Sequence, residues 1–143
     1  MKKSVLSGAV ALMLCLAWYV GRVQGQQDQG VVFASPTKAN YKEAQKGVSM
    51  APLWGNAEQG AHATYTKFMP GYDAGMHTHT NDVWIVGIKG AYIYKDEAGE
   101  KRVGPGNFLR VPGGHKHWSG GDPKEGALFY EESSGKFDLV PAK

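Results

Sequence analysis

From Pro52 to the C-terminus, apolar and polar residues alternate in short runs that are separated by turn residues. Alternation with a period of two places every second side chain on the same side of a strand, which predicts β-structure with one buried face. Turns rich in glycine and proline, such as Gly104-Pro105-Gly106 and Pro112-Gly113-Gly114, separate the runs. Five strands are predicted, at His62–Met69, Val83–Ile88, Gly90–Lys95, Asn107–Val111 and Ala127–Glu132.

The short strands and the composition together predict an all-β fold. The chain has 143 residues, enough for one domain, and contains 20 glycines and 7 prolines. A flat sheet would leave its strand edges exposed, whereas closure into a jelly-roll barrel protects them. Residues 52–143 are therefore predicted to form the barrel. Residues 26–51 are predicted to be an arm or linker, with a short helical or irregular stretch near residues 40–44 or an additional edge strand.

Residues 1–25 are typical of a secretory signal peptide. Two lysines precede an apolar run from Val5 to Val20, and cleavage is expected after Gly25. The run is shorter than the roughly 20 residues that a membrane-spanning helix prefers, and an uncleaved membrane anchor is the alternative. We therefore expect a periplasmic or secreted protein whose only connection to a membrane would be an uncleaved signal segment.

The net charge of the mature chain is expected to be close to zero. The whole chain carries 16 Lys+Arg and 13 Asp+Glu, but Lys2, Lys3 and Arg22 lie in the predicted signal peptide, and their removal leaves 13 of each sign. Without a clustered basic surface, nucleic-acid binding is not expected. Cys15 is the only cysteine and also lies in the signal peptide, so the mature chain is predicted to have no disulfide and no thiol nucleophile.

Four of the five histidines lie in two short segments, and their spacing indicates a metal site. His77 and His79 are two residues apart, so both imidazoles would point the same way on a strand. His117, from the second segment, would supply a third nitrogen to a divalent ion. His115 would share the face of His117 on a regular strand, as an additional ligand or a residue supporting the ligands. A turn at Gly114 would instead place it at the mouth of the barrel.

Both histidine segments resemble the two motifs of the cupin superfamily. The motifs occur in the expected order, and 15 residues separate them, as in compact microbial cupins. The chain is most similar to small single-domain cupins related to the metal-binding domain of ChrR-type anti-sigma factors. This resemblance implies a double-stranded β-helix (jelly-roll) barrel, a bound divalent metal ion, a small-molecule ligand or substrate, and a homodimer. The matched positions are Gly71, His77, His79 and Gly90 in the first motif, and Gly106, Pro112, Gly114 and His117 in the second.

The sequence departs from the cupin pattern at the metal-binding carboxylate of the first motif. The spacing puts that ligand at Val83 or Trp84, which cannot bind a metal, and Asp82 would point to the opposite face of the strand. Some cupins, including dioxygenases that split β-diketones, hold iron with three histidines and no carboxylate. The resemblance therefore implies a three-histidine site. Iron(II) or zinc(II) is the favoured ion, and manganese(II), nickel(II) and copper(II) are compatible.

Two glutamates, an arginine and two tryptophans are further candidates for the cavity beside the metal. Glu131 and Glu132 are adjacent, so one of them should face inward. An inward Glu131 would act as a general base or replace the missing ligand. Arg110 would hold a substrate carboxylate if it faced inward, but alternation favours a solvated outer face. Trp84 and Trp118 would line the cavity or fill the core.

Two functional hypotheses follow from these residues. The first is an exported mononuclear metalloenzyme with dioxygenase-type chemistry on a small oxygenated organic substrate, because three histidines leave coordination positions open. The second is a non-catalytic module that binds or senses a metal or ligand, because no clear acid–base residue accompanies the histidines. Whether the protein is an enzyme is left open by the sequence.

Overall fold

Eleven β-strands form the folded part of the chain in the computed structural model, which describes residues 30–143. The predicted signal peptide lies outside the described residues. Within residues 30–143, no helix is long and apolar enough to cross a membrane. The strands are β1 Lys42–Gln45, β2 Val48–Gly55, β3 His62–Phe68, β4 Asp73–Thr78, β5 Val83–Gly90, β6 Tyr92–Asp96, β7 Gly99–Val103, β8 Phe108–Val111, β9 His117–Gly121, β10 Ala127–Ser133 and β11 Val140–Pro141.

The strands form two antiparallel sheets. One sheet has six strands in the order β1-β2-β3-β10-β5-β8, and the other has five in the order β11-β4-β9-β6-β7. Strands that are distant in sequence are neighbours in space, as β3 and β10 are along seven residue pairs from Ala127↔Phe68 to Ser133↔His62. The all-β prediction is confirmed by these two sheets.

The strands that the alternation predicts correspond to β3, β5, β6, β8 and β10. The stretch near residues 40–44 is not helical, because Lys42–Gln45 forms an edge strand paired with β2. The strand β2 runs through the predicted boundary between residues 51 and 52 and pairs with β3 along its length. The segment predicted as an arm therefore contributes strands to the six-stranded sheet.

Aromatic side chains from both sheets pack against one another in the core. Phe129 of β10 is completely buried, and its ring centroid lies 4.9 Å from that of Phe68 and 5.1 Å from that of Tyr92. Phe129 belongs to the six-stranded sheet and Tyr92 to the five-stranded sheet, so these contacts hold the sheets together. Because Tyr92 lies on β6, which pairs with β9, the same contacts position a strand that carries a histidine.

Candidate metal centre

Three buried histidines meet on the five-stranded sheet. His77 of β4 is paired in register with His117 of β9, and His79 follows β4 directly. The ring centroid of His77 lies 4.3 Å from that of His117 and 4.8 Å from that of His79, and the centroids of His79 and His117 are 5.3 Å apart. The structure thus brings together the three histidines that the sequence proposes as ligands.

The arrangement of these rings fits a divalent ion. One nitrogen from each ring lies within 4.8 Å of the other two. Two nitrogens bound to one zinc or iron ion are at most about 4.2 Å apart, so small side-chain rotations would close the rings around it. In addition, Nε2 of His117 is buried and has no hydrogen-bond partner among residues 30–143. A buried polar atom is costly without a partner, and a metal ion would provide one.

The other nitrogen of each ring is fixed by a main-chain carbonyl group. A carbonyl oxygen only accepts hydrogen bonds, so each Nδ1 carries the proton and each Nε2 keeps its lone pair for a metal. Hydrogen bonds of this kind orient imidazole ligands in metalloproteins. The Nδ1–H groups of His77, His79 and His117 donate to the carbonyl oxygens of Gly75 at 2.9 Å, Asp138 at 2.6 Å and His115 at 2.9 Å, respectively.

Burial keeps the three imidazoles neutral. Loss of solvent is the main cause that lowers the pKa of His77 and His79 below 6.5 and the pKa of His117 to about 4. The hydrogen bonds to the carbonyl groups act in the opposite direction and are outweighed. Neutral imidazole is the form that binds metals, so the ligands need not lose a proton at neutral pH.

A cavity of about 510 Å³ lies beside the histidines, with walls from both sheets. His77 and His79 form part of its wall, and its volume is in the range of small-molecule sites. Among residues 30–143, no lysine or arginine lines it. Apolar and aromatic side chains form much of the wall, including those of Val48, Met50, Phe68, Tyr72, Tyr92, Phe137 and Leu139.

Of the two adjacent glutamates, only Glu131 lines the cavity. It belongs to the six-stranded sheet, whereas the histidines belong to the five-stranded sheet. Its burial raises the pKa of the Glu131 carboxyl group to about 7. Glu132 instead accepts a hydrogen bond of 2.7 Å from the hydroxyl group of Tyr130. The oxygens of Glu131 do not belong to the group of atoms within 4.8 Å, so its carboxylate does not replace the missing ligand in this arrangement.

Arg110 and Trp84, two of the possible pocket residues, do not line the cavity. Arg110 of β8 and Trp84 of β5 are cross-strand partners. Val83 belongs to the core, and these two side chains point to the opposite face of the sheet. The Nη2 of Arg110 lies 2.6 Å from Oδ2 of Asp82. Strand alternation therefore sends this arginine outward, and Asp82 faces away from the histidines as predicted.

Trp118 and the side chain of His115 also lie outside the cavity. Trp118 follows His117 on β9, so alternation turns it to the outer face, where its Nε1–H donates to Oδ1 of Asp73 at 2.6 Å. The side chain of His115 is 44% exposed, with Nε2 at 3.1 Å from Oδ2 of Asp96. The imidazole of His115 is therefore not an additional ligand here, although its carbonyl group supports His117.

Several cavity residues were not identified from the sequence. Ser119 lies two residues after His117 on β9, so the alternation that groups the histidines could have identified it. Phe137 and Leu139 line the cavity and Asp138 supports His79, but all three come from the C-terminal segment. No local pattern predicts that this segment returns to the metal site.

Comparison with protein families agrees with this fold and site. The family described as the ChrR Cupin-like domain matches residues 29–135. The chain belongs to this family. The resemblance that the histidine motifs indicate is thereby confirmed. Among curated proteins there is no significant match to this cupin.

Solved cupin structures share the fold at low sequence identity. The polyketide cyclase RemF from Streptomyces resistomycificus is 16% identical, with a TM-score of 0.65 over 80% of this chain and 87% of RemF. KdgF from Halomonas sp. is 18% identical, with a TM-score of 0.59 over 73% of this chain and 94% of KdgF. A mutant of Bacillus subtilis oxalate decarboxylase is 23% identical, with a TM-score of 0.55 over 79% of this chain and 33% of that chain. These likenesses show the fold alone.

Proposed function

We propose that this cupin is a mononuclear metalloenzyme that acts on a small oxygenated organic molecule, with dioxygenase-type chemistry when the ion is iron(II). The observation that carries the proposal is the convergence of three buried histidines beside a cavity of about 510 Å³. The histidines account for metal binding, and the cavity accounts for a guest next to the metal.

His77, His79 and His117 would hold the ion, and their Nδ1–H bonds would keep the rings directed at it. Because all three ligands are neutral, the ion would keep its double charge and favour an anionic oxygen group such as an enolate or phenolate. A bound iron(II) ion would supply oxygen chemistry, whereas zinc(II) would supply Lewis acidity. The apolar wall would keep bulk water away from the guest.

The fold comparisons support an enzyme over a non-catalytic binding module. RemF is named a polyketide cyclase, and a second similar structure is an oxalate decarboxylase. The same fold therefore supports chemistry on small oxygenated molecules in other proteins. Fold does not transfer a substrate, so the assignment to this chain depends on its own site.

Metal content and oxygen uptake test the proposal. Protein purified without added metal should contain about one transition-metal ion per chain, and the iron form should consume oxygen with an enolisable dicarbonyl or a phenol from a broad panel. His79→Ala should lose both properties, whereas His115→Ala, which changes an exposed imidazole, should keep them. Metal binding without turnover on any panel member would favour the non-catalytic module, and wild-type protein that binds no transition metal would contradict both functions.

We further propose that residues 1–25 direct export to the periplasm or the medium and that the mature barrel forms a homodimer. Charged and apolar residues in the order of a signal peptide support export, and exposed sheet edges support pairing between chains. N-terminal sequencing of exported protein should begin at Gln26, and light scattering should give twice the mass of the mature chain. Protein retained in the cytoplasm with Met1 intact would contradict export, and a monomer mass would contradict the dimer.

A further inference from the structure

The side chain of Glu131 is a feature of the cavity that the metal site does not explain. It projects from β10 of the six-stranded sheet, so it faces the histidines from the opposite wall. Only 7% of the residue is exposed, and Oε1 is completely buried without a hydrogen-bond partner among residues 30–143. An acidic group in this situation destabilises the fold unless something else bonds to it.

Asp122 shows how this fold satisfies an acidic group that serves structure. It is also 7% exposed, but its carboxylate pairs with Arg102 and accepts hydrogen bonds from the main-chain N–H groups of Lys124 and Glu125 at 2.8 Å. For Glu131, by contrast, Oε1 has no such partner among residues 30–143, although Thr64 and Ile85 are its cross-strand neighbours. The difference indicates that the partner of Glu131 is not part of the protein.

The rest of the wall restricts what that partner can be. Phe68, Tyr92, Phe137 and Leu139 present flat or apolar surfaces, which favour a ring system. The absence of lysine and arginine from the wall formed by residues 30–143 means that a carboxylate or phosphate near Glu131 would have no cation to balance it. A neutral hydroxyl or carbonyl group, by contrast, can form a hydrogen bond with a carboxyl group in either protonation state.

We propose that the cavity binds a largely apolar ring compound with two oxygen groups, one directed to the histidine-bound ion and the other a neutral hydroxyl or carbonyl group that is hydrogen-bonded to Glu131. Glu131 would then be the residue that determines which ring compounds are accepted. This inference rests on the proposed function only for the contact between the ring compound and the metal ion. The raised pKa of Glu131, at about 7, supports it, because the carboxyl group can be present in its neutral form near neutral pH and then also donate a hydrogen bond.

Naphthols with one or two hydroxyl groups test the proposal directly. The affinity of cobalt-loaded protein for 2-naphthol and for 2,6- and 2,7-dihydroxynaphthalene can be measured from the fluorescence of the compound. At least one diol should bind about tenfold more tightly than 2-naphthol, which is the usual effect of one hydrogen bond to a buried carboxyl group. In the metal-free protein, naphthalene-2,6-dicarboxylate, a dianion of similar shape, should bind more weakly than the tighter-binding diol.

Three variants assign the preference to Glu131. Glu131→Met removes the hydrogen bond at similar side-chain length and should abolish the preference for the diol. Glu131→Gln keeps a donor and an acceptor and should retain most of it. Glu132→Met is the matched control, because Glu132 bonds to Tyr130 and does not line the cavity, so this variant should bind like the wild type.

Equal affinity of the wild type for 2-naphthol and both diols would overturn the proposal. A preference that persists in folded Glu131→Met, or tighter binding of the dicarboxylate than of the diol to the metal-free protein, would also overturn it. The wild-type comparison needs no variant, so a Glu131→Met protein that does not fold would leave this test intact. Failure of the proposed function would look different, because the cobalt absorption spectrum of the wild type would then show no bound ion. A Glu131-dependent preference for the diol in metal-free protein would still support this inference.

Discussion

The hydrogen bonds of the histidines determine how each ring can react. Each of the three clustered imidazoles donates Nδ1–H to a main-chain carbonyl group, so the rings offer Nε2 to the site. The same pattern occurs at the fourth buried histidine, His62, whose Nδ1 lies 2.9 Å from the carbonyl oxygen of Gly60. His62 is not part of the cluster, so burial and a fixed Nδ1 are not sufficient for a metal site. The convergence of three rings distinguishes the proposed metal site from the surroundings of His62.

Metal binding should persist at mildly acidic pH. Burial lowers the pKa values of His77, His79 and His117, the last to about 4, so protons compete less with the metal than at ordinary histidines. Three histidines with a pKa of about 6.5 would lose roughly 1000-fold in affinity between pH 7.5 and pH 5.5. We expect the affinity of this protein for cobalt to fall clearly less than 1000-fold between these two pH values. Cobalt titrations followed by absorption spectroscopy measure this change. A loss of the full 1000-fold would show that the rings titrate like exposed histidines.

The stability of the metal-free protein should reveal the burial of Glu131. Its pKa is raised from 4.5 in the unfolded chain to about 7, so the folded state favours the protonated form. The contribution of Glu131 to the free energy of unfolding is fully present below pH 4.5 and is lost as pH rises through 7. At pH 8 this loss lowers the free energy of unfolding by about 3 kcal/mol. Urea unfolding should therefore show Glu131→Gln gaining stability relative to wild type between pH 4.5 and pH 8.

The clustered histidines have the opposite dependence, because their lowered pKa values make stability fall as pH drops below 6.5. They are present in both proteins, so the difference between wild type and Glu131→Gln isolates the glutamate. Glu132→Gln is the control for the loss of a glutamate that lies outside the cavity. A constant difference between wild type and Glu131→Gln across this range would mean that Glu131 titrates normally.

At the scale of strands, alternation of apolar and polar residues was a good guide where one face is buried. It predicted β3, β5, β6, β8 and β10, in which at least one face meets the core. It did not predict β2, β4, β9 or β11, and in β9 the buried positions are filled by His117, Ser119 and glycines rather than by apolar side chains. It also did not predict the edge strands β1 and β7, because all four residues of β1 and four of the five in β7 are exposed and carry no apolar alternation. Such edge strands are defined by pairing with a neighbour, which local sequence does not specify.

The C-terminal strap, residues 136–143, is a second element that the local pattern does not define. Its β11 pairs with β4, and Ala142 N–H donates to the carbonyl oxygen of Met76 at 2.9 Å. Asp138 connects it to the site twice, since its carbonyl group accepts from His79 and its carboxylate accepts from the N–H and hydroxyl groups of Thr80. The strap therefore positions a proposed ligand from outside both cupin motifs.

Removal of the Asp138 carboxylate should weaken metal binding although it touches no ligand directly. Asp138→Ala frees Thr80 and the carbonyl group that orients His79, and loss of such support typically reduces metal affinity by 10- to 100-fold. Cobalt titration measures this change. Val140→Ala is the matched control, because Val140 lies in the same strap with a half-exposed side chain and pairs with Thr78 through its main chain. Equal affinity of both variants and the wild type would show that the strap does not position His79.

At the scale of the whole molecule, the site depends on the two sheets facing each other. The three histidines could be grouped from the sequence because two motifs of fixed spacing contain them, and their sheet register then brings His77 and His117 together. The positions of Arg110, Trp84 and Trp118 were left open by the sequence, because a single strand has two faces and local sequence does not decide between them. The opposition of Glu131 to the histidines depends on the packing of β10 across the barrel, which is a tertiary property.

A bound ion should stabilise the fold, because it would connect elements that are separate in the chain. His77 and His117 lie on neighbouring strands, and His79 is tied to the strap through Asp138, so the ion would join β4, β9 and the strap. An ion that binds only the folded state at 100 times its Kd adds about 2.7 kcal/mol, which would raise the melting temperature by several degrees. Cobalt(II) should give this shift in calorimetry, whereas calcium(II), which prefers oxygen ligands, should not. His117→Ala should melt at the same temperature with and without cobalt, and an undiminished shift in this variant would show that cobalt binds elsewhere.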